Sequence, residues 1–348
     1  MPEKVNEISQ RKNEHLKLCL TDKVSFKDKS NGFENYEFKH YAITEVKREK
    51  ISFKSDFLGK NVNYPFIISC MTGGTDKSEE INSRLSIAAH KLNIPLGVGS
   101  QRIALESSGS KNTYKVFRKN APNIPILGNI GASELAKREN LNKIQSLVDM
   151  IGADAMVVHL NPLQELLQSE GNPQFTNLLK CIEKLIRKIS VPVIVKEVGA
   201  GISKEAALKL LEIGVRGIDV AGAGGTSWAG IEILRSKGDP QSFFWDWGLP
   251  TSYCLRKISK LKKKYDFILI GSGGISNALD SAKAFALGAD FTASARTILI
   301  RLNKDGVDGV INLVNEWFDI LSKVLFLTGS GSIKELGKGK LIRKEKLC

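Results

Sequence analysis

From Pro65 onward the chain repeats one unit: a short apolar run, a small or polar end, then an amphipathic helical stretch. Eight apolar runs stand out, at Phe66–Met71, Pro95–Gly99, Ile124–Asn129, Ala155–Leu160, Val191–Val198, Gly217–Ala221, Phe267–Gly271 and Phe291–Ala295. Helical patterns lie between them, among them Glu79–Leu92, Leu141–Ile151, Phe175–Ile189, Lys204–Ile213, Ser252–Lys264 and Asn277–Leu287, and Val307–Leu327 closes the series. Strands that alternate with helices predict a parallel sheet with crossover helices. Eight such units over roughly 260 residues fit a closed (β/α)8 TIM barrel better than a doubly wound open sheet. The α/β barrel is expected over residues 65–328, after an N-terminal extension (1–64) packed on it and before a flexible basic tail (329–348).

Composition narrows the function classes. At 348 residues and 42% hydrophobic, the chain can fill one large core. A net charge of +14 suits anionic metabolites, an anionic surface or nucleic acid. The basic residues are spread, with no arginine stripe interleaved with aromatics, so nucleic acid is not the expected partner. Five cysteines without paired spacing (Cys19, Cys70, Cys181, Cys254, Cys348) argue for a reducing cytoplasm. The polar N-terminus does not read as a signal peptide, and no apolar run reaches the roughly 18 residues of a membrane span.

In a barrel, the loop after the C-terminal end of each strand faces the mouth. The fourth strand runs into His159-Leu160-Asn161-Pro162-Leu163-Gln164-Glu165, an imidazole, two amides and a carboxylate that an apolar core would not hold unpartnered. Pro162 is expected to end the ladder and project these groups from one short loop; a loop that merely caps the next helix is the plain alternative. Other strand ends carry Met71-Thr72-Gly73-Gly74, Gly99-Ser100-Gln101-Arg102 and Gly128-Asn129. Lys196 lies within the apolar fifth strand, so it either points into the mouth or pairs with Glu197 or another acid. The sixth strand leads to Gly224-Gly225-Thr226-Ser227-Trp228, and a helix starting there puts Trp228 and Glu232 on one face. Gly273-Gly274 after the seventh strand and Ala295-Arg296 after the eighth occupy the places where barrels bind phosphate. Together these loops and Lys196 suggest flavin mononucleotide, with Lys196 positioned to stabilise the anionic reduced ring. In the extension, Arg11-Lys12 and His15 lie on a short polar helical piece, as phosphate ligands or as ordinary solvated charges. Trp245 and Trp247 are expected to pack over the barrel.

These residues, spread over most of the chain, resemble the type 2 isopentenyl-diphosphate delta-isomerases. The His-x-Asn-x-x-Gln-Glu string is the most specific element; the glycine loops are shared with other FMN barrels. The resemblance implies interconversion of isopentenyl and dimethylallyl diphosphate by proton addition and removal, with reduced FMN as the acid/base, NADPH as reductant and Mg2+. It implies that Met71, Thr72, Gly73, Ser100, Asn129, Lys196, Thr226, Gly273, Gly274, Ala295 and Arg296 hold the flavin. Arg11, Lys12, Ser100, Arg102, His159, Asn161 and Gln164 would bind substrate, Glu165 the metal, and Gln164, Glu232, Trp228 and His159 would take part in the chemistry. A homo-oligomer is expected. The competing functions are an FMN-dependent 2-hydroxy-acid oxidase or dehydrogenase and a non-enzymatic binder of anionic ligands.

Overall fold

The computed structural model describes residues 2–106, 109–137, 141–236 and 240–347; Cys348 lies outside them. Eight parallel strands close a barrel in chain order: β1 (Phe66–Ile68), β2 (Leu96–Gly97), β3 (Ile126–Gly131), β4 (Ala155–Leu160), β5 (Val193–Glu197), β6 (Gly217–Asp219), β7 (Ile268–Gly271) and β8 (Phe291–Ser294). Several are shorter than expected, because glycine and polar residues at their C-terminal ends leave the ladder to form the mouth.

The period of two along each strand sorts its residues. Ile67, Leu127, Val157, Ile194, Ile270 and Phe291 fill the interior, whereas Phe66, Ile68, Met156, Val158, Val193 and Val195 pack against the helices. Continuing the inward set by two residues reaches Asn129, His159 and Lys196, which form the polar top layer. Register aligns them: His159 lies opposite Lys196, and Lys196 opposite Asp219.

The extension contributes to the barrel itself. A hairpin of Ser55–Phe57 and Lys60–Val62 inserts Phe57 and Val62 into the interior cluster. Phe57 meets Phe291 edge-on at 4.9 Å between ring centres, and Lys60 pairs with Asp154 just before β4. This hairpin therefore closes the end opposite the mouth. The tail differs from the loose end expected of it. Leu341–Arg343 pairs antiparallel with Tyr36–Phe38, so each short strand satisfies the other's open edge.

Five helices matter for the site: α1 (Pro2–Cys19), α2 (Pro162–Leu167), α3 (Trp228–Arg235), α4 (Ala278–Ala286) and α5 (Arg296–Leu327). Two correct the sequence reading. Pro162 starts a helix instead of a loop, since its fixed φ and missing N–H suit the first helical position. The last helix begins at Arg296, eleven residues before the expected Val307, with a break at Gly306 (φ +71°). No helix of the described residues is long and apolar enough to cross a membrane.

Candidate active site

Side-chain hydrogen bonds and an ion pair tie together the polar layer at the top of the barrel. Lys196 Nζ lies 3.2 Å from Asp219 Oδ2 and 3.4 Å from Ser272 Oγ, which donates to Asp219 Oδ1 at 2.5 Å. Lys196 thus both lines the mouth and pairs with an acid, but the acid is Asp219. Glu197 points away, and its Oε2 accepts the backbone N–H groups of Val198, Gly199, Ala200 and Gly201. Asn129 donates its Nδ2 to Val98 O, which leaves Oδ1 to accept from His159 Nδ1 at 2.8 Å. Burial first, then the Lys196 and Lys12 charges, bring the His159 imidazole down to about 4. His159 is therefore neutral near pH 7, with its Nε2 as an acceptor.

The loops after β6 and β7 lie backbone against backbone. A Cβ on Gly273 (φ +93°) would sit 2.1 Å from Gly222 O, and one on Gly225 2.5 Å from Gly274 N. Only glycine permits this approach. α5 begins directly beyond β8. The Arg296 side chain, expected at the cofactor, turns instead to the extension: it donates to Cys19 O, Thr21 O, Ser25 Oγ and Asp22 Oδ1. Its place in the cofactor set then rests on its backbone.

The extension crosses the mouth. Lys12 Nζ donates to Gly73 O. Burial, then Arg11 and Arg102, bring its ammonium down to about 7. Arg11 has no carboxylate within 4 Å among the described residues, and Arg102 pairs with Glu134 at 3.1 Å. Asn31 Nδ2 donates to Gly274 O, and Ser227 N to Val24 O, stitching the segment after α1 onto the loops. Sequence reasoning missed Ser25, Phe26, Ser30 and Asn31, which line the cavity; their residue types carry no signal without the topology.

α2 supplies the amide–carboxylate chain. Asn161 Nδ2 donates to Gln164 Oε1 (3.2 Å) and to Glu165 Oε1 (3.0 Å). Gln164 Nε2 donates to Glu232 Oε1 at 3.1 Å, and Asn172 N to Glu165 Oε2 at 2.7 Å. Glu232 also accepts from Arg235 Nη1 at 2.5 Å, and its Oε1 lies 3.0 Å from His15 Nε2, close enough for an ion pair though not aligned as a hydrogen bond. Burial pushes its carboxyl up; His15, Gln164 and Arg235 more than reverse this and hold it below the usual range. Trp228 opens α3 and meets the His15 ring edge-on at 5.2 Å. Trp245 is buried as expected, but Trp247 is 60% exposed.

One cavity of about 560 Å³ is lined by every residue singled out for cofactor, substrate, metal or catalysis except Glu232, which stands behind Gln164 and His15. Its size falls within the range of small-molecule sites. The backbone-exposing glycine loops, the starts of α4 and α5 and the Lys196 ammonium fit a flavin phosphate and an electron-rich ring. For a divalent cation, the lining carboxylates are Glu165 and Glu134; Glu134 pairs with Arg102 and Lys137, and Asn161 Oδ1 beside Glu165 is buried without a partner. No cluster of three or more His, Cys, Asp or Glu is placed to hold a metal among the described residues. The donors therefore fit a magnesium ion completed by substrate phosphate and water, not one caged by protein.

The comparisons agree with this geometry. Residues 132–343 match the family model of FMN-dependent dehydrogenases. Among solved structures, the flavin-binding domain of baker's yeast flavocytochrome b2 superposes with a TM-score of 0.69 at 20% identity, covering 92% of this chain and 79% of that one. A putative lactate oxidase of Pediococcus acidilactici gives 0.68 at 15% identity, covering 98% and 94%. These likenesses concern the fold. Proteins named isopentenyl-diphosphate delta-isomerase are much nearer in sequence. That of Pelodictyon phaeoclathratiforme is 42% identical, covering 97% of each chain; that of Pseudescherichia vulneris is 42% identical, covering 94% and 95%; that of Methanosarcina mazei is 38% identical, covering 97% and 93%. With near full-length identity at this level, and with the His159–Glu165 string placed at the barrel mouth, the chain belongs to the isopentenyl-diphosphate delta-isomerase family.

Proposed function

We propose that this protein interconverts isopentenyl and dimethylallyl diphosphate at the barrel mouth, by moving a proton with no net redox change. The observation that carries the reading is that one cavity is lined both by the Arg11, Lys12 and Arg102 cations with Glu165, a set suited to a diphosphate and its metal, and by Gln164, whose Nε2 donates to Glu232 behind it.

Arg11, Lys12 and Arg102 would bind the diphosphate, with Ser100 and Asn161 as neutral partners. Glu165 would hold Mg2+ against its oxygens. Met71, Thr72, Gly73, Ser100, Asn129, Thr226, Gly273, Gly274 and the backbone at Ala295–Arg296 would hold FMN, and Lys196 would lie beside its ring. Bound and reduced, FMN supplies an electron-rich face that stabilises positive charge developing on the alkene carbon. The chain's own part is orientation and proton storage. Gln164 is locked, its Oε1 facing Asn161 and its Nε2 facing Glu232. Glu232 is held anionic behind it and can take or return a proton through the Gln164–His15 layer. Trp228 and His15 cover this part of the cavity and exclude water, which a cationic transition state requires. His159, neutral and held by Asn129, presents Nε2 as an acceptor until a diphosphate arrives and favours its protonation.

A 2-hydroxy-acid oxidase would need a histidine base facing arginines aimed at a carboxylate. Here the charges that act on His159 are those of Lys196 and Lys12, not of an arginine. A simple anion binder has no use for the Gln164–Glu232 pair. With that reading go a cytoplasmic location, from the unpaired cysteine spacing, and, from the family resemblance, a homo-oligomer with NADPH as its reductant. The test is direct: load the protein with FMN, reduce it anaerobically with NADPH or dithionite, add isopentenyl diphosphate and Mg2+, and follow the product by NMR in heavy water. Turnover only after reduction, with deuterium entering the product, is expected. Flavin bleaching by a 2-hydroxy acid with no isomerisation would overturn the reading.

A further inference from the structure

Arg235, the last residue of α3, spreads one guanidinium over three carboxylates from three parts of the fold. Nη1 donates to Glu232 Oε2 at 2.5 Å on its own helix, Nε to Glu14 Oε2 at 3.0 Å on α1, and Nη2 to Glu170 Oε1 at 2.9 Å beyond α2. Its side chain is 12% exposed. The Glu232 side chain is 1% exposed, whereas those of Glu14 and Glu170 are 41% and 43% exposed. A half-exposed ion pair contributes little to folding on its own. Two such pairs on the arginine that holds the buried acid act on geometry instead, because the planar guanidinium fixes the mutual directions of its three partners.

Each partner reports on a different piece of the mouth. Glu14 lies between Lys12 and His15, so it moves with the α1 cations that face the diphosphate. Glu232 is reached from α2 by Gln164, from α1 by His15 and from its own helix by Arg235. We propose that Arg235 is a positioning residue that couples the seating of α1 over the mouth to the placement of the Glu232 carboxylate behind Gln164. When α1 is seated, Glu14 fixes Nε, and the remaining edge of the fork is aimed at Glu232. When α1 lifts, Glu232 loses His15 directly and its alignment by Arg235 indirectly. The diphosphate-binding cations and the proton store are thus assembled by one event.

The kinetic part of this inference rests on the isomerase reading; the structural part does not. Its test uses the full-length, FMN-loaded protein and the variants Glu14→Gln, Arg235→Lys and Arg235→Met. Two readouts are compared: amide hydrogen exchange over residues 10–19, and steady-state isomerisation. Glu14→Gln is expected to speed exchange in α1 and raise KM at least fivefold, with kcat within twofold because bound diphosphate reseats α1 at saturation. Arg235→Met should speed the same exchange and also lower kcat at least tenfold. Arg235→Lys should recover part of kcat, because one charge beside Glu232 remains, while α1 exchange stays fast, because an ammonium cannot serve three directions. Wild-type exchange over residues 10–19 in folded Arg235→Met overturns the coupling, as does a Glu14→Gln protein with unchanged KM and exchange. If Arg235→Met does not fold, the half-exposed Glu14 position decides alone. If the wild-type protein does not isomerise these diphosphates, the function reading fails and the exchange arm still decides the coupling.

Discussion

Lys196 Nζ stands 3.2 Å from Asp219 Oδ2, one strand over and on the same rung of the barrel. Both groups are nearly buried, so each depends on the other. Lys196→Met leaves the Asp219 carboxylate without its counter-charge, and a loss of about 3–5 kcal/mol is expected in chemical denaturation. Adding Asp219→Asn should recover most of that stability. It should not restore the anionic reduced-flavin spectrum, if Lys196 is the cation beside the ring. A double variant as unstable as Lys196→Met would show that the ion pair is not the cause.

Lys12 should take up a proton when a diphosphate binds. Its ammonium is brought down to about 7 by burial, Arg11 and Arg102; a diphosphate supplies the missing negative charge. Titration calorimetry at pH 8 in buffers of different ionisation enthalpy should show net uptake that disappears in Lys12→Met. Persistent uptake in that variant, growing toward pH 5, would assign it to His159. Stability follows the same linkage. Between about 7 and the ordinary lysine value of about 10.4, the folded chain carries fewer protons at Lys12 than the unfolded one. This contribution therefore rises with pH across that window and is lost as pH falls toward 7.

Glu232→Gln keeps the shape of the Gln164 contact and removes the charge. Because Glu232 does not line the cavity, substrate affinity should change less than threefold. The turnover number should fall by about 10²-fold or more, within the usual range for lost proton transfer. The measurement is steady-state kinetics with deuterium wash-in; a KM effect larger than the kcat effect would move Glu232 into the binding set.

Glu165→Gln should raise the Mg2+ concentration for half-maximal activity more than tenfold, with turnover partly recovered at high Mg2+. Glu165 also accepts from Asn161 and Asn172, so a loss of about 1–3 kcal/mol in stability should accompany the change. Unaltered Mg2+ dependence would exclude Glu165 as the metal ligand.

Much of the fold and the site was legible in the sequence, for a physical reason. Burial on both faces makes barrel strands near-continuous apolar runs, so all eight could be placed. The polar residues that interrupt their ends then marked the mouth. What failed shares another cause. Pro162 read as a breaker, although at a first helical position it is a helix starter. Lys196 is expected to point into the mouth or to pair with Glu197 or another acid; neighbouring strand residues point to opposite faces, so Glu197 turns away, and Asp219, 23 positions on, comes alongside only through the barrel register. Arg296 follows the eighth strand and lines the cavity, while only three-dimensional packing reveals that its guanidinium turns toward Thr21 and Asp22. Arg235 carried no signal because its partners come from residues 14, 170 and 232.

The Phe57 hairpin changes what the border at residue 64 means. During synthesis the stopper leaves the ribosome before any wall of the vessel it seals, and its aromatic partner Phe291 emerges 234 residues later. The barrel interior is thus completed only when the first and last thirds of the chain meet, a long-range closure of the kind that slows folding. A protein cut at Pro65 would keep all eight strands and lose the floor they are packed on, so residues 1–64 are a separate region by position and part of the barrel by construction.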